Sequence, residues 1–297
     1  MALGLHHLRY VVVIAEEGNV TRAAQRLRLS QPSLSAALRD VERQVGADLF
    51  LRRPWGMVLT PAGEAFVGEA RVAVDAADAA MTEARRAARG ARHRLRVGFI
   101  VGTQVELTSQ IVAAFRQHHP DLGVDPVEHT FSDPSAGLRI GQVDVAFVMP
   151  PFVSDGLVLE ELLSAPRVAV LASTHPLARR GSVAVRELFD EPWIYADTDD
   201  EVCRSYWLAM EHRTSPPILG EGTRTIDRFI QLAMAGEVVG LAADWVRTAF
   251  TRPGLTFVPV SDVAPATTAL GWRADTHNPL VDAFIDIARS VRDAPSS

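Results

Sequence analysis

Lysine is missing from this 297-residue chain, and cysteine nearly so. All 30 basic side chains are arginine. A GC-rich coding sequence explains that bias more simply than function does. The consequence is still physical, because arginine's planar fork suits two-point contacts to phosphate and guanine. The one thiol, Cys203, cannot make an intrachain disulfide, so a reducing cytosol is the natural compartment. It has no resolving cysteine, which argues against a thiol switch. Long apolar runs are absent too. The N-terminal stretch MALGLHHLRYVVVIAEEGN is short, bounded by charge, and followed by no small-residue cleavage site. It reads as a helix with Leu5, Leu8, Val11, Val12 and Ala15 on one face, not as a signal peptide or membrane span.

Catalytic patterns are also wanting. No Gly-rich phosphate loop and no G-x-S-x-G elbow occurs. His118 and His119 are neighbours on a helix, point apart, and have no cysteine or carboxylate at ligand spacing. Asp144, Asp197, Asp199 and Asp200 form no acid–base pattern. No catalytic residue, metal or cofactor is expected.

Hydrophobic residues make up 47% of the chain, enough for two or three ordinary cores. A net charge of −6 argues against a nucleic-acid partner until its distribution is read. Residues 1–96 carry 15 Arg against 10 Asp and Glu, whereas 97–297 carry 15 against 26. The pattern is a basic arm on an acidic body.

Within the arm, residues 19–45 are the most telling. A short helix with Thr21, Ala23, Ala24 and Leu27 on one side breaks at Leu29-Ser30. A second opens at Ser30-Gln31-Pro32 and repeats apolar side chains at Leu34, Leu38, Val41 and Val45. The other face carries Gln31, Ser33, Ser35 and Arg39. Two such helices make a helix-turn-helix whose second member fits the major groove of double-stranded DNA. Leu49–Leu51 and Met57–Leu59 flank a turn at Pro54-Trp55-Gly56, which reads as a wing with Arg52 and Arg53 at its tip.

Thr60-Pro61 starts a long helix to about Ala88, with Glu64 at its positive end. Val67, Ala70, Val74, Ala77, Met81, Ala84 and Ala88 follow a 3-4 repeat. This stripe serves either an inter-subunit contact, the preferred reading, or packing on its own domain. Arg89–Arg94 reads as a hinge. From Leu95 strands alternate with helices: strand 95–102, helix 103–118, strand 123–128, a helix near 134–140, strand 143–149. A second series has strand 167–172, helix 183–189, strand 192–196, helix 200–212, strand 217–221, helix 225–235 and strand 238–242. Strands near 255–260 and 267–273 and a helix over 278–292 close the chain. The alternation predicts βαβ units and a parallel sheet, in two subdomains with a cleft between them.

The whole pattern resembles the LysR-type transcriptional regulators. The resemblance rests on Ala23-Ala24-x-x-Leu27, Ser30-Gln31-Pro32-Ser33-Leu34-Ser35, Val41-Glu42, Gly46, Leu49-Phe50, Arg52-Arg53 and Leu59-Thr60-Pro61-x-Gly63. In the body it rests on His118-His119-Pro120-Asp121-Leu122, Gly141-x-x-Asp144, His175-Pro176-Leu177, Asp190–Ile194 and Ala235-Gly236-x-x-x-Gly240. It implies an α/β protein: an N-terminal all-α winged helix-turn-helix with a long linker helix, then two α/β subdomains like those of periplasmic binding proteins. The corresponding boundaries are 1–60, 61–94 and 95–297. The body divides into a first lobe, about 95–164 and 266–297, and a second, about 165–265. Expected partners are DNA, a small-molecule effector and the chain itself, as a dimer through the linker helix and then a tetramer. No membrane is expected.

Gln31, Ser33, Ser35 and Arg39 are the candidates for base edges. Ser30 either caps its helix or joins them. Arg22, Arg52 and Arg53 are the candidates for phosphates. For the effector, strand ends and helix starts point to Gly102, Thr103, Thr130, Phe131, Ser132, Tyr195, Thr223 and Arg224. Helix N-termini, hydroxyls and Arg224 suit an organic acid, while Val101 and Phe131 favour an aromatic or partly apolar one. Thr103 has two readings, ligand contact and simple capping of its helix. The competing readings are a solute-binding receptor, an enzyme using the cleft, and a regulator whose cleft takes no ligand.

Overall fold

Asparagine and serine caps set the first helices. Helix α1 (Leu5–Glu17) ends at Gly18 in the left-handed conformation, φ +55. Helix α2 (Val20–Leu27) opens on Asn19, whose side chain accepts from the N–H groups of Thr21 and Arg22 at 2.9 and 3.1 Å. Helix α3 (Gln31–Val45) opens on Ser30, whose Oγ accepts from the Ser33 N–H at 3.2 Å. Between them Arg28 takes the left-handed conformation, φ +56, that closes the turn. Strands β1 (Phe50–Arg53) and β2 (Gly56–Leu59) form an antiparallel hairpin, Phe50 opposite Leu59 and Arg53 opposite Gly56. Ile14, Ala23, Leu34, Leu38, Val41 and Leu49 are buried together beneath them. The computed structural model describes residues 3–53, 56–88, 94–100 and 106–294.

The Glu42 carboxylate anchors the hairpin to α3 by accepting the N–H groups of Leu49 (3.0 Å) and Phe50 (3.4 Å). Helix α4 (Pro61–Ala88) starts on Thr60, whose hydroxyl donates to the Asp48 carbonyl at 2.7 Å and accepts the Gly63 N–H at 3.0 Å. The long stripe on this helix divides. Val67, Ala70 and Val74 are buried within their own unit, where α1 runs beside α4 and the Arg9 guanidinium donates twice to Asp78, at 3.0 and 2.7 Å. Val72 and Met81 remain open, 57% and 54% exposed. The side chains of Ala84 and Ala88 lie outside the described ones, as does the expected hinge except for Arg94.

The chain divides into two units, Met1–Gly90 and Ala91–Ser297. The second begins with β3 (Arg94–Ile100), α5 (Glu106–His118), β4 (Gly123–His129), β5 (Val145–Val148) and β6 (Leu157–Ala165). It continues through β7 (Arg167–Ala172), β8 (Trp193–Ala196), α6 (Glu201–Trp207), β9 (Leu219–Thr223), α7 (Ile226–Ala235), β10 (Gly240–Ala243), α8 (Val246–Ala249) and β11 (Leu255–Pro259). It ends with β12 (Ala266–Arg273) and α9 (Pro279–Arg292). The first lobe's sheet has the order β4-β3-β5-β12-β6. Its first three strands are parallel, but β12 returns antiparallel to both β5 and β6. The second lobe pairs β10-β7-β11 antiparallel and β8-β9 parallel. The sheets are therefore mixed, not wholly parallel as the alternation suggested.

Other expected elements change for local reasons. Residues 134–140 form successive turns, because Ala136 and Gly137 sit at φ +48 and +85 and Asp133 caps the N–H groups of Ser135 and Gly137. The helix expected over 183–189 is one 3-10 turn, Val185–Leu188. That over 200–212 breaks at Ala209, φ +52, leaving α6 and a 3-10 turn. Strand β6 and helix α8 were not foreseen.

Arg167 is fully buried where the chain crosses between lobes. Its guanidinium donates to the carbonyls of Ala264 (2.7 Å) and Tyr206 (3.1 Å) and to Glu211 (3.3 Å). The Tyr206 hydroxyl donates to the Pro265 carbonyl at 3.0 Å. Both crossings are thus fastened to the end of α6. Among the described residues, no helix is long and apolar enough to cross a membrane.

Candidate functional site

The outer face of α3 is short-chained and open. Gln31, Ser33, Ala36 and Arg39 are all exposed. Ser33 shares a hydrogen bond with Ser30, their hydroxyl oxygens 2.7 Å apart. Ser35, expected beside them, is only 8% exposed. It follows Leu34 onto the buried side, so a base-edge role for it is withdrawn. Arg22 is also spoken for: it pairs with Glu17 at 3.5 Å and donates to the Glu17 carbonyl. Arg26 and Arg43 are paired with Glu16, Glu17 and Asp40. By contrast Arg39, Arg52 and Arg53 are exposed and have no hydrogen bond or ion pair among the described residues. Arg52 and Arg53 close β1, directly before the hairpin tip.

In the second unit a cavity of about 110 Å³ lies between the two lobes. Phe131 and Met149 wall it from the first lobe, and Tyr195, Trp207, Phe229 and Trp245 from the second. Hydrogen bonds cross nearby: the Phe131 N–H donates to the Arg224 carbonyl (2.9 Å), and the Thr198 hydroxyl to the Ser132 carbonyl (3.1 Å). Of the expected effector residues, Phe131, Tyr195 and Thr223 line the cavity. The hydroxyls of Thr130 and Ser132 bond each other at 2.7 Å, outside the lining. Gly102 and Thr103 lie outside the described residues. Arg224 corrects the expectation most sharply. Its side chain is 59% exposed, bonds Asp197 at 2.7 Å, and does not line the cavity. Trp207, Phe229 and Trp245 were missed because they come from α6, from α7 and from the turn before α8, which no local spacing connects.

Cys203 belongs to the same wall. Burial pushes its thiol up to about 12, and the charge of Asp200 adds to the effect. A folded-state value above the ordinary 9.0 means that the fold favours the neutral thiol. That contribution is whole below about pH 9 and is lost as pH rises toward about 12. At pH 8 the native protein should therefore resist alkylation by iodoacetamide and react only on unfolding; fast labelling without denaturant would refute this. Among the described residues, no cluster of His, Cys, Asp and Glu could hold a metal ion.

A winged helix-turn-helix with an open arginine face, in one chain with a two-lobed domain enclosing a cavity, defines a ligand-responsive DNA-binding regulator. Comparison narrows the class. Residues 5–64 match the profile of the bacterial regulatory helix-turn-helix proteins of the lysR family, and residues 88–293 that of the LysR substrate binding domain. The chain belongs to the LysR family of transcriptional regulators. It is 30% identical over 302 residues to the HTH-type transcriptional regulator AlsR of Bacillus subtilis, covering 96% of this chain and 95% of AlsR. It is 30% identical over 291 residues to the Hca operon transcriptional activator HcaR of Escherichia coli, covering 96% and 97%. In fold it is similar to full-length CbnR solved with its target DNA, with a TM-score of 0.54 at 20% identity, covering 98% of this chain and 100% of CbnR.

Proposed function

We propose that two copies of this chain read an inverted DNA repeat, each inserting α3 in the major groove and laying its hairpin along the backbone. The observation that carries this is that Arg39, Arg52 and Arg53, like Arg28 in the turn between the two helices, have no side-chain partner among the described residues, in a unit whose Arg22, Arg26 and Arg43 are paired. An exposed arginine with no partner leaves its guanidinium available to an outside acceptor. Arg39 and Gln31 are assigned to base edges, with Ser33 beside them, and Arg52 and Arg53 to phosphates. Ser30 acts as the cap. The open residues of α4, Val72 and Met81, are assigned to the dimer contact, and dimers assemble further into a tetramer. The cavity takes a small effector whose preference for one lobe arrangement shifts that assembly on DNA. The site of action is the cytoplasm, and no enzymatic role is assigned. That CbnR was solved with DNA supports the reading.

The test is fluorescence anisotropy on the chain's own upstream DNA from about 50 to 200 mM salt. Arg39→Ala should cost about 1–3 kcal/mol and relax sequence preference. Arg53→Ala should weaken cognate and scrambled DNA alike and lower the salt slope by about 1. If Arg39→Ala weakened both DNAs equally, its assignment to a base would fail.

A further inference from the structure

The cavity's chemistry says what kind of effector fits. None of its described lining residues is Arg, His, Asp or Glu. Residues 101–105, Val-Gly-Thr-Gln-Val, which follow the lining residue Ile100 in sequence, lie outside the described residues; the stretch contains no ionisable side chain. Nearby cations are engaged: Arg224 with Asp197 at 2.7 Å, and Arg139 beside Asp200 at 3.8 Å. Asp200 is itself buried, three residues before the wall residue Cys203, whose N–H it accepts at 2.9 Å. Burial does most to raise the Cys203 thiol's pKa and the Asp200 charge adds to it, so this wall favours neutral groups. A carboxylate entering here would lose its water and find no cationic side chain among the described lining residues.

The polar groups in the wall are mainly donors. Among the lining side chains, Trp207 and Trp245 carry indole N–H groups, which can only donate, and Tyr195 a phenol. None of the three side chains has a hydrogen-bond partner among the described residues. The Thr223 hydroxyl has spent its proton, donating to the Thr225 carbonyl at 3.0 Å while accepting the Thr225 N–H at 3.2 Å. As for size, an apolar cavity of about 150 Å³ holds benzene, so about 110 Å³ is the scale of one ring.

We propose that the effector of this cavity is an uncharged single-ring aromatic, or a molecule of similar size, that carries a hydrogen-bond acceptor such as a ketone or aldehyde oxygen. The inference rests on the cavity being the effector site. It differs from the organic acid that the sequence suggested.

Acetophenone and benzoate have the same number of non-hydrogen atoms and nearly the same shape, and differ in charge. Both would be titrated calorimetrically into the full-length protein at pH 7.5, with thermal shift as a second readout. Acetophenone should bind saturably and at least tenfold tighter than benzoate. Ala196→Leu, which adds bulk to the wall, should remove that binding, while Trp245→Phe, which deletes one donor, should weaken it several-fold. Benzoate binding as well or better would overturn the neutral class and leave the effector site standing. Binding of neither would also overturn it. The reading of the cavity as an effector site has a separate readout: if acetophenone saturates the protein while the DNA footprint and bend stay unchanged, that reading fails and the ligand class stands.

Discussion

Ala36→Glu should fold like the parent chain and bind its operator at least ~100-fold more weakly, a loss of about 2.7 kcal/mol. Ala36 is exposed one turn before Arg39 and one turn after Ser33, at the middle of the open face of α3. Glutamate is a good helix former, so the helix should survive. Two effects then act together. The new carboxylate faces phosphates across a short gap, and each lost or repelled phosphate contact weakens binding on all DNA. It also stands three residues before Arg39, close enough on a helix to draw that guanidinium away from a guanine. The melting temperature should stay within about 4 °C of the parent, the effect of ~1 kcal/mol or less. Binding within about threefold of the parent would mean that α3 does not face DNA.

Two glycines of α4 should respond in opposite directions to the same change. A Cβ on Gly63 would stand 2.0 Å from the Leu49 carbonyl oxygen and 2.9 Å from its carbon. That carbonyl cannot easily swing away, because it accepts the Thr60 N–H at 3.0 Å in the joint between hairpin and helix. Gly63→Ala should cost about 3 kcal/mol, the upper end for overpacking, and shift the hairpin enough to weaken DNA binding. At Gly68 a Cβ meets nothing within 4 Å. Gly68→Ala should stabilise by about 0.5–1 kcal/mol through helix propensity alone. Urea unfolding of the three chains is the measurement. A stable Gly63→Ala variant would show that the joint yields.

The contrast between these glycines marks what was legible in the sequence. The motif Thr60-Pro61-x-Gly63 could be read as a helix start because its cap is local. Why its last residue is glycine depends on Leu49, fourteen residues back, and emerges only with the fold. Ser35 was misread because polarity stood in for direction: it follows Leu34 onto the buried side of α3, while the apolar Val45 ends up 40% exposed. Strand β6 escaped notice because Glu160 and Glu161 interrupt its alternation. The register shifts opposite Thr268 and Ala269, and Glu160 turns out to bind Arg289 and Arg292 of α9. Those two arginines hold its carboxyl below the usual carboxylate range. The cavity between the lobes was half legible. Strand ends led to Phe131, Tyr195 and Thr223, which line the cavity between the lobes, but no local rule reveals that Asp197 has claimed Arg224.

The crossings fastened by Arg167 and Tyr206 also bear on how such a chain could be assembled and reassembled. The segment leaves the first sheet after Ala165 and re-enters it at Ala266, and these two residues are direct partners in the β6-β12 ladder. The second lobe is thus spliced into what would otherwise be an ordinary hairpin. A short turn joining Ala165 to Ala266 would preserve the strand order of the first sheet, and a different insert could be grafted at the same seam. Half of the cavity wall would then be exchanged while the helix-turn-helix unit kept its own sequence.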